Sequence, residues 1–227
     1  MTQKQLIELI QQHHPGIGET ELRLQLNRAK DDFCAKTEII VNSWTQTSVA
    51  GQRYYPLADE ILRVKEVHVN DVSIPRLIGK PIIEDDEYDG ATGLSNGSTS
   101  SNDRYWYIDG TRIGIVEKIN GVVTRDDKQS NYQSISAEKE LRIIAVAKDT
   151  DFSDSLTQVS NIPSQFQEAL VYKVIADLML HKGNANFDIN LSEVFSSKYD
   201  ILVKNAKKYA RDGKIHAGAA VIRPTDF

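Results

Sequence analysis

PSQFQEALVYKVIADLMLHKG, residues 163–183, holds the strongest helical signal in the chain. Phe166, Leu170, Val174 and Leu178 recur every fourth residue, with Ala169 and Ala176 beside them, which is one apolar face at helical period. Pro163 fixes the backbone ahead of the first turn. Ser164 and Gln167 have the spacing of a capping box, and Gly183 offers a left-handed stop. The reading is a helix from Ser164 to about His181 on which a core closes. A second helix is predicted over about 191–212, with Asn190 and Glu193 at capping-box spacing. Its seam is Phe195, Tyr199, Leu202, Ala206 and Tyr209, suited to packing along a neighbouring helix.

Upstream, residues 3–13 form a short helix with Leu6, Ile7 and Ile10 on one side, broken at Pro15-Gly16-Ile17-Gly18. Thr20 is placed to cap a helix over about 21–36, whose stripe is Leu22, Leu26, Ala29 and Phe33. Neither is long enough to be stable alone, so each must pack on something.

Between the helical pairs the period changes. Ile39-Ile40-Val41, Arg53 to Leu57, Ile61 to Val69 and Leu141 to Val146 read as strands. Asn70-Asp71 is a turn, and Val72 to Ile78 the return strand of a hairpin, with Pro75 marking an edge. RYWYI (104–108) and RIGIV (112–116) form a hairpin around Asp109-Gly110. Residues 84–103 and 117–140 lack apolar periodicity and read as long polar loops. The fold class is α+β: an N-terminal helix pair, a β-rich middle with hairpins over 38–147, and a C-terminal helix pair over 163–212. Residues 1–213 read as a single domain. Residues 214–227 (KIHAGAAVIRPTDF) read as an extended arm.

Composition narrows the function. The chain has 227 residues, is 40% hydrophobic and carries a net charge of −5, so no global basic field draws it to nucleic acid or anionic lipid. Its one cysteine, Cys34, excludes an intrachain disulfide framework and a cysteine-based zinc site; within an amphipathic helix it reads as a small buried residue. MTQKQLIELIQQHH has too short an apolar run for a signal peptide, and no stretch is long enough to span a bilayer, so a soluble chain made in a cytosol is expected.

The search for chemistry yields no catalytic set, no metal site and no cofactor site. Glu84, Asp85, Asp86, Glu87 and Asp89 lack the alternate-position ligands and turn glycine of a calcium loop and read as a solvated run. His13 and His14 are adjacent, cannot share a helix face as a metal pair, and read as exposed end-of-helix residues. His68, within a strand, reads as structural. Gly110 to Gly114 has no phosphate-binding pattern, and no nucleophile elbow is present. Lys204, Lys207, Lys208 and Arg211 form a basic face at a helix end, read as complementing the helix dipole, with nucleic-acid contact as the alternative. Tyr105 and Tyr107 fall on one side of a strand and Trp106 on the other; packing explains them more cheaply than base stacking.

Taken in order, LNRAKDDFCAKT (26–37), AGQRYYPLADEILRVKEVHVN (50–70), RYWYIDGTRIGIV (104–116), LRIIAVAK (141–148) and NIPSQFQEALVYKVIADLML (161–180) resemble the head-to-tail adaptor, or connector, proteins of tailed bacteriophages. The matching positions are Tyr55-Pro56-Leu57, Asp59, Val64, Val67, Ile162-Pro163 and Glu168 to Tyr172, and the resemblance spans about residues 4–212. It implies a structural virion protein at the neck, made in the host cytoplasm. It implies rings, typically twelve-fold, between the portal protein and the tail nozzle or a further neck protein. Double-stranded DNA would pass through the ring without specific binding, which suits a net acidic conduit. Ile215, Val221, Ile222 and Phe227 on the arm are the expected contacts with the portal or a neighbouring copy. The alternatives are another neck or tail-completion ring protein, a DNA-binding module using Lys204 to Arg211, and a metal-dependent enzyme using the acidic run.

Overall fold

The computed structural model describes residues 1–78, 104–125, 128–180 and 187–217, with 119–125, 128–131 and 213–217 described by backbone alone. The chain groups into two compact units, residues 1–41 with 146–227, and residues 42–145.

The first unit is helical. It holds α1 (Gln3–Gln11), α2 (Glu19–Thr37), α3 (Glu168–Met179) and α4 (Ile189–Ala217). Helix α3 packs against the other three. Phe166, Leu170, Val174 and Leu178 are all buried, as the period requires, and Val171, Ile175 and Met179 are buried too. A helix that is apolar nearly all round is a core helix, and each such side chain stabilises the fold by about 1.5–3 kcal/mol on burial. Leu6, Ile7 and Ile10 of α1, Leu22, Leu26 and Phe33 of α2, and Phe195, Tyr199 and Ala206 of α4 join the same cluster.

The caps differ from those expected. Ser164 to Phe166 form a 3₁₀ turn, and α3 starts at Glu168 without a side-chain cap. Gln167 points inward instead. Its amide donates to the carbonyls of Ile162 (2.7 Å) and Ser160 (3.2 Å), and its oxygen accepts from the Met1 ammonium. The reciprocal capping box lies at α1, where Gln5 N donates to Thr2 Oγ1 (3.3 Å) and Thr2 N to Gln5 Oε1 (2.9 Å). Gly18, not Thr20, caps α2. Asp188 takes the role expected of Asn190, its carboxylate accepting from Leu191 N at 3.1 Å. Helix α4 runs to Ala217, so Lys214 to Ala217 continue the helix where an arm was expected to begin. The expected stop at Gly183 lies outside the described residues.

The strands form two sheets. One has the order β1 (Val41–Thr47), β8 (Glu140–Ala147), β3 (Ile61–Val69), β4 (Val72–Ile74). The other has the order β2 (Tyr54–Pro56), β6 (Arg112–Arg125), β5 (Arg104–Asp109), with β7 (Lys128–Ser134) on β6. Because β5 (104–109) pairs with residues 112–117 of β6, β2 and β7 take successive parts of the other edge of β6. Val67, Val69, Trp106, Ile113, Ile115, Leu141 and Ile143 share one apolar cluster. The architecture is α+β.

Both expected hairpins form, though the return strand β4 ends at Ile74, short of the expected Ile78. Val69 pairs with Val72, and Asn70 (φ 49°) and Asp71 (φ 63°) make the two-residue turn. In the other, Asp109 pairs with Arg112, so the turn residues are Gly110 and Thr111, one place beyond the expected pair. Only Gly110 has positive φ (59°) there, the type that wants glycine first. Residues 117–140 are a larger correction: most of them form a β6–β7 ribbon with a register shift between Lys118 and Val123. The stretches EKINGVVTR (117–125) and KQSNYQS (128–134) have no regular alternation of apolar and polar residues to read as strand. Residues 84–103 lie outside the described residues.

Candidate interaction surfaces

Within the helical unit the most buried chemistry is an ion pair. Lys30 on α2 and Asp149 on the connection after β8 are both buried, with Nζ 3.4 Å from Oδ2. Lys30 also donates to the Thr150 carbonyl and lies over the Phe152 ring, 3.7 Å from its centroid. Asp149 accepts from Ser160 Oγ (2.6 Å), Asn161 Nδ2 (2.9 Å) and Asn161 N (3.2 Å). Asn27, one turn before Lys30 on α2, clasps Phe152 through both backbone groups, at 2.8 and 3.2 Å. These contacts fix the connection 148–161 on α2. The arrangement is a fastening: each of the two charged groups is met by the other and by further groups of the connection. Burial lowers the Lys30 pKa, and the Asp149 charge works against that shift.

Other candidate groups are equally inert. Cys34 is buried, and desolvation pushes its thiol up to about 12, so it is no nucleophile at neutral pH. His14 was expected at the surface but is 1% exposed; burial first, then the neighbouring His13, lowers its pKa. His13 is exposed, with its ring edge-on to Phe195 at 5.3 Å. The pair falls apart because the chain turns at the end of α1, and Ile10 accepts from both their backbone N–H groups. His68 in β3 lies 3.4 Å from Glu66. Among the described residues no three His, Cys, Asp or Glu side chains gather as a metal would need. The acidic run 84–89 lies outside them.

The aromatic trio on β5 alternates as expected. Trp106 enters the apolar cluster, while Tyr107 meets Tyr54 edge-on at 6.1 Å and Tyr105 meets Tyr132 edge-on at 6.0 Å. Arg104 and Glu117, directly opposite in the β5–β6 register, pair at 3.2 Å. A cleft of about 390 Å³ beside this hairpin has Leu57, Leu62, Ile108, Asp59, Arg63 and Arg76 among its lining residues.

The surface of α4 is different. Phe195, Tyr199, Val203 and Ala206 form its buried seam, with Val203 taking the place expected of the half-buried Leu202. Tyr209 is half exposed, its ring edge-on to Phe166 at 5.6 Å. Lys204, Lys207, Lys208 and Arg211 are all exposed, at i, i+3, i+4 and i+7, which sets them in one stripe turned away from the seam. Among the described residues none of the four pairs with a carboxylate. A shallow depression joins Lys207 and Arg211 to Lys36 and Glu38 at the end of α2. Earlier on α4, Leu191, Val194 and Ile201 are 39%, 49% and 57% exposed. This second apolar stripe was missed in the sequence, although the spacing of its three residues is legible there. Ile215 falls in the helix by its backbone; Val221, Ile222 and Phe227 lie outside the described residues.

The helical unit thus has a closed apolar core, a buried internal ion pair and an amphipathic outer helix. In the comparison with protein families, the model of the SU10 adaptor proteins matches residues 1–221, nearly the whole chain. The chain belongs to the SU10 adaptor protein family. That is a family of phage head-to-tail adaptors, and the role it supports is structural, at the join of head and tail. No curated protein matches the chain. Family membership also supports association with portal and tail proteins and a place at the virion neck. Among the described residues no helix of this SU10 adaptor is long and apolar enough to cross a membrane.

Proposed function

We propose that this chain is a ring subunit at the neck of a tailed phage, joining the portal to the tail nozzle or a further neck protein and lining the DNA passage. The match of the adaptor family over residues 1–221 carries this reading. A ring requires heterologous contacts, in which one face of a copy meets a different face of the next. The exposed outer face of α4 is a surface suited to that use. The ring is twelve-fold in this reading, and Ile215, Val221, Ile222 and Phe227 dock on the portal or on a neighbour. The net charge of −5 keeps passing duplex from adhering. The test is the native mass of the purified chain, alone and with the portal of its own phage. A closed ring on portal addition is expected; a chain that stays monomeric and ignores the portal refutes the reading. Deleting 214–227 should abolish joining, and unchanged joining refutes the assignment of the arm.

A second reading, duplex binding at Lys204, Lys207, Lys208 and Arg211, draws on their exposure without carboxylate partners among the described residues. It requires salt-dependent binding of duplex by the isolated chain. Absence of such binding at low salt disposes of it.

A further inference from the structure

Two charge imbalances in this molecule match. The stripe Lys204, Lys207, Lys208 and Arg211 is exposed and without carboxylate partners among the described residues. The run IIEDDEYD at 82–89 holds five carboxylates and no cation, equal to the chain's whole net charge of −5, so the remainder of the chain is balanced. The stripe carries four positive charges and the run five negative ones.

The order of groups also matches. Along the outside of α4, exposed Leu191, Val194 and Ile201 precede the cations. In the run, Ile82 and Ile83 precede Glu84. Lys204 to Arg211 spans about 10 Å at the helical rise. Glu84 to Glu87 spans about 10 Å when extended. Duplex phosphate fits this surface less well, because Glu38 shares the depression with Lys207 and Arg211 and puts a carboxylate where phosphate would sit.

We propose that the outer face of α4 is the docking surface for residues 82–89 of a second copy of this chain, with Ile82 and Ile83 against Val194 and Ile201 and the carboxylates on the basic stripe. The contact is heterologous, and it rests on the ring reading only in supplying one of that ring's joints. Copies so joined set the run of one on the stripe of the next, so the stripe is not left for DNA.

The test uses the full chain, at a concentration where its mass is that of a monomer, and a synthetic peptide of residues Lys80 to Gly90. The peptide is expected to bind, roughly tenfold more weakly when salt rises from about 0.05 to 0.3 M. Binding should be lost in Lys204→Glu/Lys207→Glu/Lys208→Glu/Arg211→Glu. It should return when that variant meets a peptide with lysine at the positions of Glu84, Asp85, Asp86 and Glu87, which also shows the variant is folded. If the reversed chain does not fold, the same four positions changed to Gln serve, with loss of binding expected. Three results overturn the proposal: no binding or equal binding by wild type and variant, tighter binding of a short duplex than of the peptide, or peptide binding only after the chain's own acids 84–87 are changed to Gln. The last would assign the face to the chain's own segment. Native mass with the portal reads the ring separately, so a ring that forms without peptide affinity sinks this docking alone.

Discussion

Lys30 Nζ lies 3.4 Å from Asp149 Oδ2, and neither side chain reaches solvent. The pair joins residues far apart in the chain and holds the connection 148–161 to α2. Its net worth relative to an apolar pair is small, because desolvation offsets most of the attraction. Its removal by halves is another matter. Lys30→Met leaves a buried carboxylate, and Asp149→Asn a buried ammonium. Each is expected to cost about 3–5 kcal/mol in denaturant unfolding. The double variant should recover part of that loss; simple addition of the two losses would show that the groups are not coupled.

Leu170 and Ile201 separate core from contact surface. Leu170 is fully buried on α3, so Leu170→Ala should cost about 2–5 kcal/mol. Ile201 is 57% exposed on α4, so Ile201→Ala should change the stability of the isolated chain by about 0.5 kcal/mol or less. Ile201→Asp should leave the monomer folded and weaken its assembly. A large unfolding cost at Ile201 would place it in the core and end its reading as a contact residue.

Gly114 lies opposite Tyr107 in the β5–β6 register, and a Cβ there would stand 2.3 Å from the Tyr107 ring. Tyr107 covers the glycine and donates its hydroxyl to Tyr54 at 3.2 Å. Gly114→Ala must push the ring aside, at a cost of about 1–3 kcal/mol by overpacking. Tyr107→Ser should relieve the clash, so the alanine costs less in that background. A double-mutant cycle with no coupling would contradict this packing.

His14 gives the helical unit an acid-sensitive element. Its folded pKa lies below the ordinary 6.5 because burial disfavours the charged ring. Between the two values the unfolded chain binds more protons, so stability rises with pH. Above pH 6.5 the ring is neutral in both states and contributes no slope. As pH falls from 6.5 through the folded pKa, the chain should lose stability, and His14→Gln should lose less over the same interval. Identical slopes for the two proteins would remove His14 from the account.

The helices were legible because burial wrote them at a fixed period. Leu170 and its neighbours sit on one face of any helix that contains them, whatever packs outside. Caps were less legible. Ser164, Thr20 and Asn190 all have capping chemistry, but a cap needs the chain to enter from one direction, and the tertiary path gave the roles to a 3₁₀ turn, Gly18 and Asp188. The β6–β7 ribbon was hidden because its residues do not alternate regularly between apolar and polar. Lys30 looked like any polar position on α2, since its partner lies 119 residues away and no local pattern marks the pair. The basic stripe of α4 was legible from spacing alone, and the structure adds that all four cations are exposed.

The chain leaves the helical unit at Val41 and returns to it at Val146, and Ala147 N donates to Ile40 O at 3.0 Å where the two crossings meet. The β-rich unit is therefore an insertion whose two ends are side by side. Until it folds, α1 and α2 must find α3 across a slack loop of more than a hundred residues, and closing such a loop costs entropy that grows with its length. Once the strands pair, that loop is drawn to a point and the helices meet as near neighbours. Pairing of the strands thus lowers the closure cost of the helical unit, and a short linker across the crossing could stand in for the whole insertion without lengthening that unit's own path.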